Sequence, residues 1–405
     1  MRTSITSRIP AAISTEDIIS CALQGICDSI ILTDAAGVVI FMNEVAEKLT
    51  GYSNSDGRGQ AIEAICSITD AGQIAFAKNP VHEVIATGQN LCFDNLLLTD
   101  LNGNSYNINV SIAPVCDKAH AIIGAVITIK DISEQLANLN KLKAAHLKIE
   151  EIHKGVKDSI LYAKRIQEAM LPDPGLLSRN FEESFIIYKP KDIISGDFYW
   201  FAEAGNSFII AVADCTGHGV PGALMSTIGC SFLNEIVNNK KITTPGQILT
   251  RLDLCLKQVL RTDLTGSHCH DGMDIAVCCI DKTRGTLEYA GAGRPVYCIQ
   301  NGQLSVITGD KYGLGGAVQG PKRVFTNHLK LFNSGDVLYL FSDGYSDQFG
   351  GRKEKKMMTR NFMKLLDATV SYGIAEQEKM LNQWLDRWKG KLEQTDDILL
   401  VGMKL

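Results

Sequence analysis

Four aspartates in the C-terminal half of this 405-residue chain stand where an apolar run begins or ends. Asp197 lies in Ser195-Gly196-Asp197-Phe198-Tyr199. Asp214 ends the apolar run that starts at Phe208, and it opens a glycine-rich stretch from Cys215 to Gly222. Asp343 ends the run from Val337 and is followed by Gly344. Asp396, with Asp397, precedes the run Ile398 to Val401. A carboxylate at a strand end beside glycine is displayed at a sheet edge, where backbone can turn closely around a ligand. Several such carboxylates converging repel one another unless a cation neutralises them. Hard oxygen donors select Mg²⁺ or Mn²⁺. Two such ions can share a bridging water, lower its pKa and clamp a phosphoryl group undergoing in-line displacement. Taken singly, such an aspartate is more often just part of a turn, so the information lies in their joint order and spacing. Asp271 and Asp274, in Asp271-Gly272-Met273-Asp274, leave two readings open. Either acid supports the others or holds an additional ion, or both belong to a surface turn.

Composition narrows the setting. At roughly 150 residues per domain, 405 residues make two or three units. Hydrophobic residues at 45% and charged residues at 21% are ordinary for a globular protein and supply more than one core. A net charge of -5 argues against a general nucleic-acid binder, which needs a basic face. The twelve cysteines are scattered and form no Cys-x-x-Cys pair. The polar N-terminus has no apolar signal-peptide core. The cysteines therefore read as reduced, mostly buried thiols of a cytoplasmic protein. His268-Cys269-His270 is a weak metal candidate, because adjacent residues rarely face one ion. The best apolar run, Ala121 to Ile129, has strand length and falls short of the ~20 residues of a span. No membrane insertion is expected.

The elements that must position these acids divide into three stretches behind a tail at 1–16. Residues 17–131 carry short β-rich runs with turn signals, interrupted by helical pieces at 44–50 and 80–87. Period-two alternation from Tyr106 to Ile112 marks a half-buried strand. This order implies an α+β domain with an antiparallel sheet. Residues 132–175 contain a long helix. Ala145, Ile149, Ile152, Val156, Ser159, Ala163, Ile166 and Met170 recur at spacings of four and three, a heptad seam that predicts a coiled-coil homodimer through 132–171. Pro172 and Pro174 end it. Residues 176–405 alternate apolar strands with helices. Thr244-Pro245 reads as an N-cap followed by Pro at the first helical position, and 376–389 as an amphipathic helix.

The set Asp197 with its Ser195-Gly196 lead, Asp214-Cys215-Thr216-Gly217-His218-Gly219, Ala290-Gly291-Ala292-Gly293-Arg294-Pro295, Ser342-Asp343-Gly344 and Asp396-Asp397 resembles the PPM-type phosphatases of the SpoIIE-like branch. The likeness covers nearly all of 180–405. It implies an αββα sandwich and two Mn²⁺ or Mg²⁺ ions, with Asp214 bridging both. Asp197 and the Cys215 carbonyl would hold one ion, Asp343 and Asp396 the other. The reaction implied is direct attack by a metal-activated water on phosphoserine or phosphothreonine, with no phosphoenzyme. The phosphorylated substrate would be a regulatory protein such as an anti-sigma-factor antagonist. The chain departs from the family pattern in three places. Ser195 replaces a glycine, Cys215 replaces a glycine, and Arg294 replaces a histidine. A carbonyl ligand tolerates any side chain at 215. Arg294 reads equally as a bidentate phosphate grip or as a solvated loop residue.

Residues 30–52, together with 110–115 and 123–132, resemble the opening and closing strands of a PAS domain. Nothing in the sequence names its ligand. No flavin-reactive cysteine run is present, and His82, a lone histidine on a helix, reads as a haem ligand or as a packed or solvated side chain. Three rival readings fit less of the chain. A sensor kinase lacks its phosphoacceptor signature at His146 and His153. A diguanylate cyclase reading of Ser195 to Phe198 lacks the second acid. An inactive binding module leaves the retained acids without a purpose.

Overall fold

The structure, a computed structural model, describes residues 15–70, 80–261, 271–316 and 323–405. His268-Cys269-His270 lies outside the described residues. The chain forms two compact units that divide between Ile152 and His153.

The first unit opens with α1 (Thr15–Gln24), β1 (Ser29–Asp34) and β2 (Val39–Met42). Short helices α2 (Glu44–Thr50), α3 (Asn54–Gly57) and α4 (Ile62–Ile65) follow, then β3 (Ser67–Thr69) and α5 (Pro80–Thr87). Strands β4 (Leu91–Thr99), β5 (Ser105–Cys116) and β6 (Ile122–Asp131) close an antiparallel sheet in the order β2-β1-β6-β5-β4-β3. Ile108, Val110 and Ile112 of β5 point into the core, as the alternation predicts, and meet Val81 and Val84 of α5 there. Asn43 caps α2 through its side chain, which accepts from the Ala46 N–H at 3.0 Å. His82 is half exposed, 3.8 Å from Glu63. It sits on the surface, so the haem-ligand alternative gains no support.

Helix α6 spans Ser133–Met170. Ile149, Ile152, Val156 and Ile166 of the seam are exposed. The seam's last residue departs from expectation. Met170 packs against the core of the second unit, as does Leu171 after it, because the final turns of α6 dock there instead of continuing a free stripe.

The second unit is a four-layer sandwich. Helix α7 (Pro174–Asn180) leads into β7 (Ser184–Lys189), β8 (Phe198–Ala204) and β9 (Ser207–Cys215). Helix α8 (Gly219–Leu233), a π-helical turn at Asn234–Asn239 and α9 (Pro245–Leu260) follow. Next come β10 (Gly272–Asp281), β11 (Thr286–Ala292), β12 (Val296–Gln300), β13 (Gln303–Ile307), β14 (Leu314–Gly315), β15 (His328–Leu331) and β16 (Val337–Phe341). The chain ends with α10 (Gly344–Asp347), the ribbon β17 (Phe349–Gly350) and β18 (Lys355–Lys356), α11 (Thr359–Thr369), α12 (Ile374–Lys389) and β19 (Ile398–Lys404). One sheet runs β15-β11-β10-β9-β8, with β14 paired to β10; the other runs β13-β12-β16-β19-β7.

Strand β9 shows why these runs are apolar throughout. Phe208, Ile210 and Val212 face the core between the sheets, while Ile209, Ala211 and Ala213 face the helical layer of α8 and α9. Both faces are covered, so period-two alternation disappears. The second sheet is covered likewise, with Tyr339 and Leu400 packed beneath Phe362 and Leu381 of α11 and α12. Two expectations need correction. The stretch Gly219–Asn239 is 21 residues long and apolar enough to span a membrane, although half of it is buried in the unit. Its Ala223, Met225, Cys230 and Leu233 belong to the core, which accounts for the composition. Thr244 precedes α9, but its side chain makes no capping bond; Pro245 in the first turn fits the helix start instead.

Candidate active site

The strand register brings the acids together. Strands β9 and β10 are antiparallel neighbours, and Asp214 pairs directly with Asp274. Like charges so placed destabilise a sheet unless something else compensates. Asp197 immediately precedes β8, whose Phe198 pairs with Ala213. From the second sheet, Asp343 follows β16 and Asp396 precedes β19, two strands paired through Phe341 and Leu400. Gly344 makes that corner possible, since a Cβ there would collide with the Asp397 carbonyl.

Asp214, Cys215, Asp274, Asp343 and Asp396 line one open cavity of about 510 Å³. Asp197 lies behind them, buried, and its Oδ2 has no hydrogen-bond partner. Asp271 is exposed, and its carbonyl accepts from Gly316 N at 3.1 Å. Of the two open positions, Asp274 therefore joins the cluster and Asp271 does not line it.

Arg294 occupies the centre, and its placement corrects the solvated-loop reading. Its Nη2 donates to Asp214 Oδ2 and, at 2.8 Å, to Asp343 Oδ2, and its Nε lies 3.9 Å from Asp274. The side chain is only 10% exposed. The Tyr289 hydroxyl donates to the Arg294 carbonyl and fixes the loop. The guanidinium faces three acids but is hydrogen-bonded to them through Nη2 alone; its Nε has no hydrogen-bond partner, so the structure leaves the phosphate-grip reading open. Burial pushes the Asp214 carboxyl up to about 7; Arg294 opposes this, and Asp343, Asp396 and Asp274 reinforce it. Asp197 is raised well above the ordinary carboxylate range by burial and then by Asp214. Asp274 and Asp396 are also raised, chiefly by burial. Desolvation works against the Arg294 charge, but Asp214 and Asp343 outweigh it and hold the guanidinium protonated.

The residues present suit hard divalent cations. The donors are all oxygens, the acids are partly dehydrated, and Asp197 offers a buried oxygen with nothing to accept from. Among the described residues, no three acids, histidines or cysteines close on one point. The carboxylates are gathered around Arg294 instead.

Several supporting residues had not been singled out. Asp397 is buried, and its two oxygens accept from Lys191 N and Gly196 N, each at 2.7 Å. Its place beside Asp396 was the available signal. At the cavity wall, His218 Nδ1 lies 2.8 Å from Asp192, and its Nε2 lies 3.2 Å from Lys191 Nζ. With Nδ1 donating to the carboxylate, Nε2 accepts from the ammonium.

Comparison with known proteins bears on this geometry. The family model described as Stage II sporulation protein E (SpoIIE) matches residues 204–405, and a PAS domain model matches 28–134. The solved SiaA-PP2C domain of Pseudomonas aeruginosa is 30% identical, aligns over 63% of this chain and 98% of its own, and superposes with a TM-score of 0.56. A structure of the RsbU and RsbW domains of a Mycobacterium tuberculosis protein is 22% identical over 55% of this chain and 59% of its own, with a TM-score of 0.43. Among curated proteins, a probable diguanylate cyclase of Escherichia coli (strain K12) is 29% identical over 124 residues, which is 30% of this chain. The chain spans only 11% of that relative's length.

Proposed function

The chain belongs to the SpoIIE family of PP2C-type protein serine/threonine phosphatases, with a PAS domain ahead of the phosphatase domain, and from that premise we propose that it hydrolyses phosphoserine or phosphothreonine on a regulatory protein in a Mn²⁺- or Mg²⁺-dependent reaction. The observation that carries this reading is the convergence of Asp214, Asp274, Asp343 and Asp396 on one open cavity, with the unpartnered Asp197 oxygen behind them. Asp214 would serve both ions, Asp197 and the Cys215 carbonyl would serve one of them, and Asp343 and Asp396 would serve the other. When bound, such ions would neutralise phosphoryl oxygens and lower the pKa of the attacking water.

The chain's own residues do the rest. The acids fix the site at one end of the sandwich. Arg294 shields them from one another until it is displaced. Lys191, whose ammonium lies 3.2 Å from Nε2 of the cavity-lining His218, places positive charge where an anionic phosphopeptide arrives. The partner proposed is a phosphorylated regulator such as an anti-sigma-factor antagonist. The domains proposed are a sensor at 17–131, a linker at 132–175 and a phosphatase at 176–405. The exposed Ile149, Ile152, Val156 and Ile166 of α6 seat a second copy of the chain.

Hydrolysis of a phosphoserine peptide by the full chain is expected to stop in chelator and return with Mn²⁺. Turnover that survives chelation overturns the reading. Sedimentation is expected to show a dimer that Ile152→Lys with Val156→Lys converts to monomer. A monomeric parent protein at micromolar concentration removes the homodimer.

A further inference from the structure

Helix α6 has one buried residue among its 38, and that residue is polar. Gln167 places its carboxamide inside the catalytic unit. Nε2 donates to the Ser195 carbonyl at 2.6 Å and to Ser226 Oγ at 2.7 Å, and Oε1 accepts from Ser195 N at 3.2 Å. One side chain thus takes both backbone polar groups of Ser195, much as a neighbouring strand would. Asp197 stands two residues further on.

The loop carrying Asp197 is otherwise held from its far side. Asp397 accepts from Gly196 N, and the Tyr188 hydroxyl donates to the Asp197 carbonyl at 3.2 Å. A Cβ on Gly196 would lie 2.6 Å from the Gly217 carbonyl, so this loop rests backbone to backbone on the stretch that follows Asp214. Ser226, the other partner of Gln167, sits on α8, the helix that this second stretch opens. The Gln167 amide therefore touches the supports of both loops. Met170 and Leu171 anchor the same end of α6 in the core. If α6 turns or slides, the three hydrogen bonds cannot persist with Ser195 in place. Breaking them leaves the buried Ser195 N–H unpaired and its carbonyl with only the longer 3.4 Å bond from Ser226 Oγ, so the loop moves with the helix.

We propose that Gln167 is the positioning residue through which α6 sets the placement of Asp197, and with it the affinity of the site for its divalent cation. Seated, the amide fixes the loop; displaced, it releases the loop and weakens cation binding. The proposal rests on the reading that Asp197 is a cation ligand. It gives the linker helix a defined handle on the site, 28 residues upstream of Ser195 in sequence.

The test uses the full chain and reads Mn²⁺ binding directly, by the paramagnetic resonance signal of free Mn²⁺, alongside kinetics. Gln167→Met keeps the length and removes the amide. Its Mn²⁺ dissociation constant is expected to rise about tenfold, the scale on which residues supporting metal ligands act. At saturating Mn²⁺, kcat is expected to return to within about twofold of the parent and KM for a phosphopeptide to stay put. A purely structural role would lower kcat at every Mn²⁺ concentration. A four-residue insertion at Gly155, which breaks the heptad phase, is expected to weaken Mn²⁺ binding in the parent and to add nothing in Gln167→Met. Should Gln167→Met fail to fold, Ser226→Ala decides, since it removes one of the three bonds together with the 3.4 Å bond from Ser226 Oγ to the Ser195 carbonyl; its Mn²⁺ affinity is expected to fall about twofold to threefold. Parent-like Mn²⁺ affinity in the decisive variant, or an additive insertion cycle, overturns the coupling alone. A parent protein that binds no Mn²⁺ overturns the site reading and the coupling with it.

Discussion

The two sheets of the catalytic unit deliver their acids to one cavity on different terms. From the first sheet come Asp197, fully buried, and Asp214, whose side chain is 22% exposed. From the second come Asp343, with a side chain 43% exposed, and Asp396 beside it in the cavity wall. An exposed carboxylate keeps much of its hydration, whereas a buried one must find a counter-charge or a proton. Asp197 and Asp214 have therefore spent solvation in advance, whereas Asp274 of the same sheet keeps a side chain 42% exposed. Under the proposed reading, those two acids carry the strongest demand for a cation, and the second sheet would supply ligands that can wait in water.

The sharpest way to break this contrast is to remove one acid from each side. Asp214→Asn is expected to lower turnover at fixed Mn²⁺ by more than roughly a hundredfold, beyond what supporting residues around a metal cost. Asp396→Asn is expected to lose about tenfold in Mn²⁺ affinity, with much of the turnover regained at high Mn²⁺. Titrations of both variants with Mn²⁺ provide the check. Equal losses would mean that burial does not rank the ligands.

What was legible in the sequence divides along similar lines. The acids at strand ends were legible because each motif is local: a run of β-branched and aromatic residues, an aspartate, a glycine. The antiparallel sensor sheet was legible from period-two alternation at Ile108, Val110 and Ile112. The groups that hold the site together were not. Asp397 reaches Gly196 across 201 residues, and Gln167 reaches Ser195 across 28. No pattern along the chain records such pairings, because they arise only when the sheets pack. Gln167 lies one position after Ile166 of the apolar seam, on an adjoining face that the heptad pattern does not mark. Met170 was misassigned for the same reason, since an apolar residue on a helix does not announce which surface will cover it. Arg294 was left between two readings, and the structure supplied a third. A loop arginine became an internal cation once β9, β10 and β16 converged on it.

That third role sharpens the contrast, because Arg294 spans both sides through Asp214 and Asp343. Under the proposed reading, guanidinium and divalent cation would compete for the same oxygens. Arg294→Ala is expected to raise Mn²⁺ affinity about tenfold, equivalent to ~1.4 kcal/mol. The metal-free protein is expected to become less stable, since the acids lose their counter-ion. Calorimetric titration and thermal unfolding of the same variant report both quantities. Weaker Mn²⁺ binding in Arg294→Ala would mean that the arginine helps to assemble the site.

The smallest expected effect is a slope with pH, and it falls on the buried side. In the metal-free fold, the Asp214 carboxyl is raised from 3.8 to about 7, with burial the largest cause, and Asp197 is raised in the same direction. Between those two pH values the folded chain keeps a proton that the unfolded chain has released. Its contribution to stability is therefore fully present below about pH 4 and is lost as pH rises through about 7. A loss of a few kcal/mol corresponds to roughly 5–10 °C for a domain of this size. The unfolding midpoint of chelated protein is thus expected to fall between pH 5.5 and 8, a window chosen to lie above the titration of ordinary carboxylates (about 4). Asp214→Asn is expected to flatten the slope, because the amide has no proton to lose. Asp396→Asn is expected to flatten it less, since Asp396 is shallower and part of its upward shift is opposed by the Asp397 backbone N–H. Saturating Mn²⁺ is expected to reverse the trend, because cations displace protons from these oxygens and bind more tightly as pH rises. A chelated parent protein whose midpoint is level across that window would show that Asp214 is already ionised against Arg294 and that the buried side carries no unmet charge.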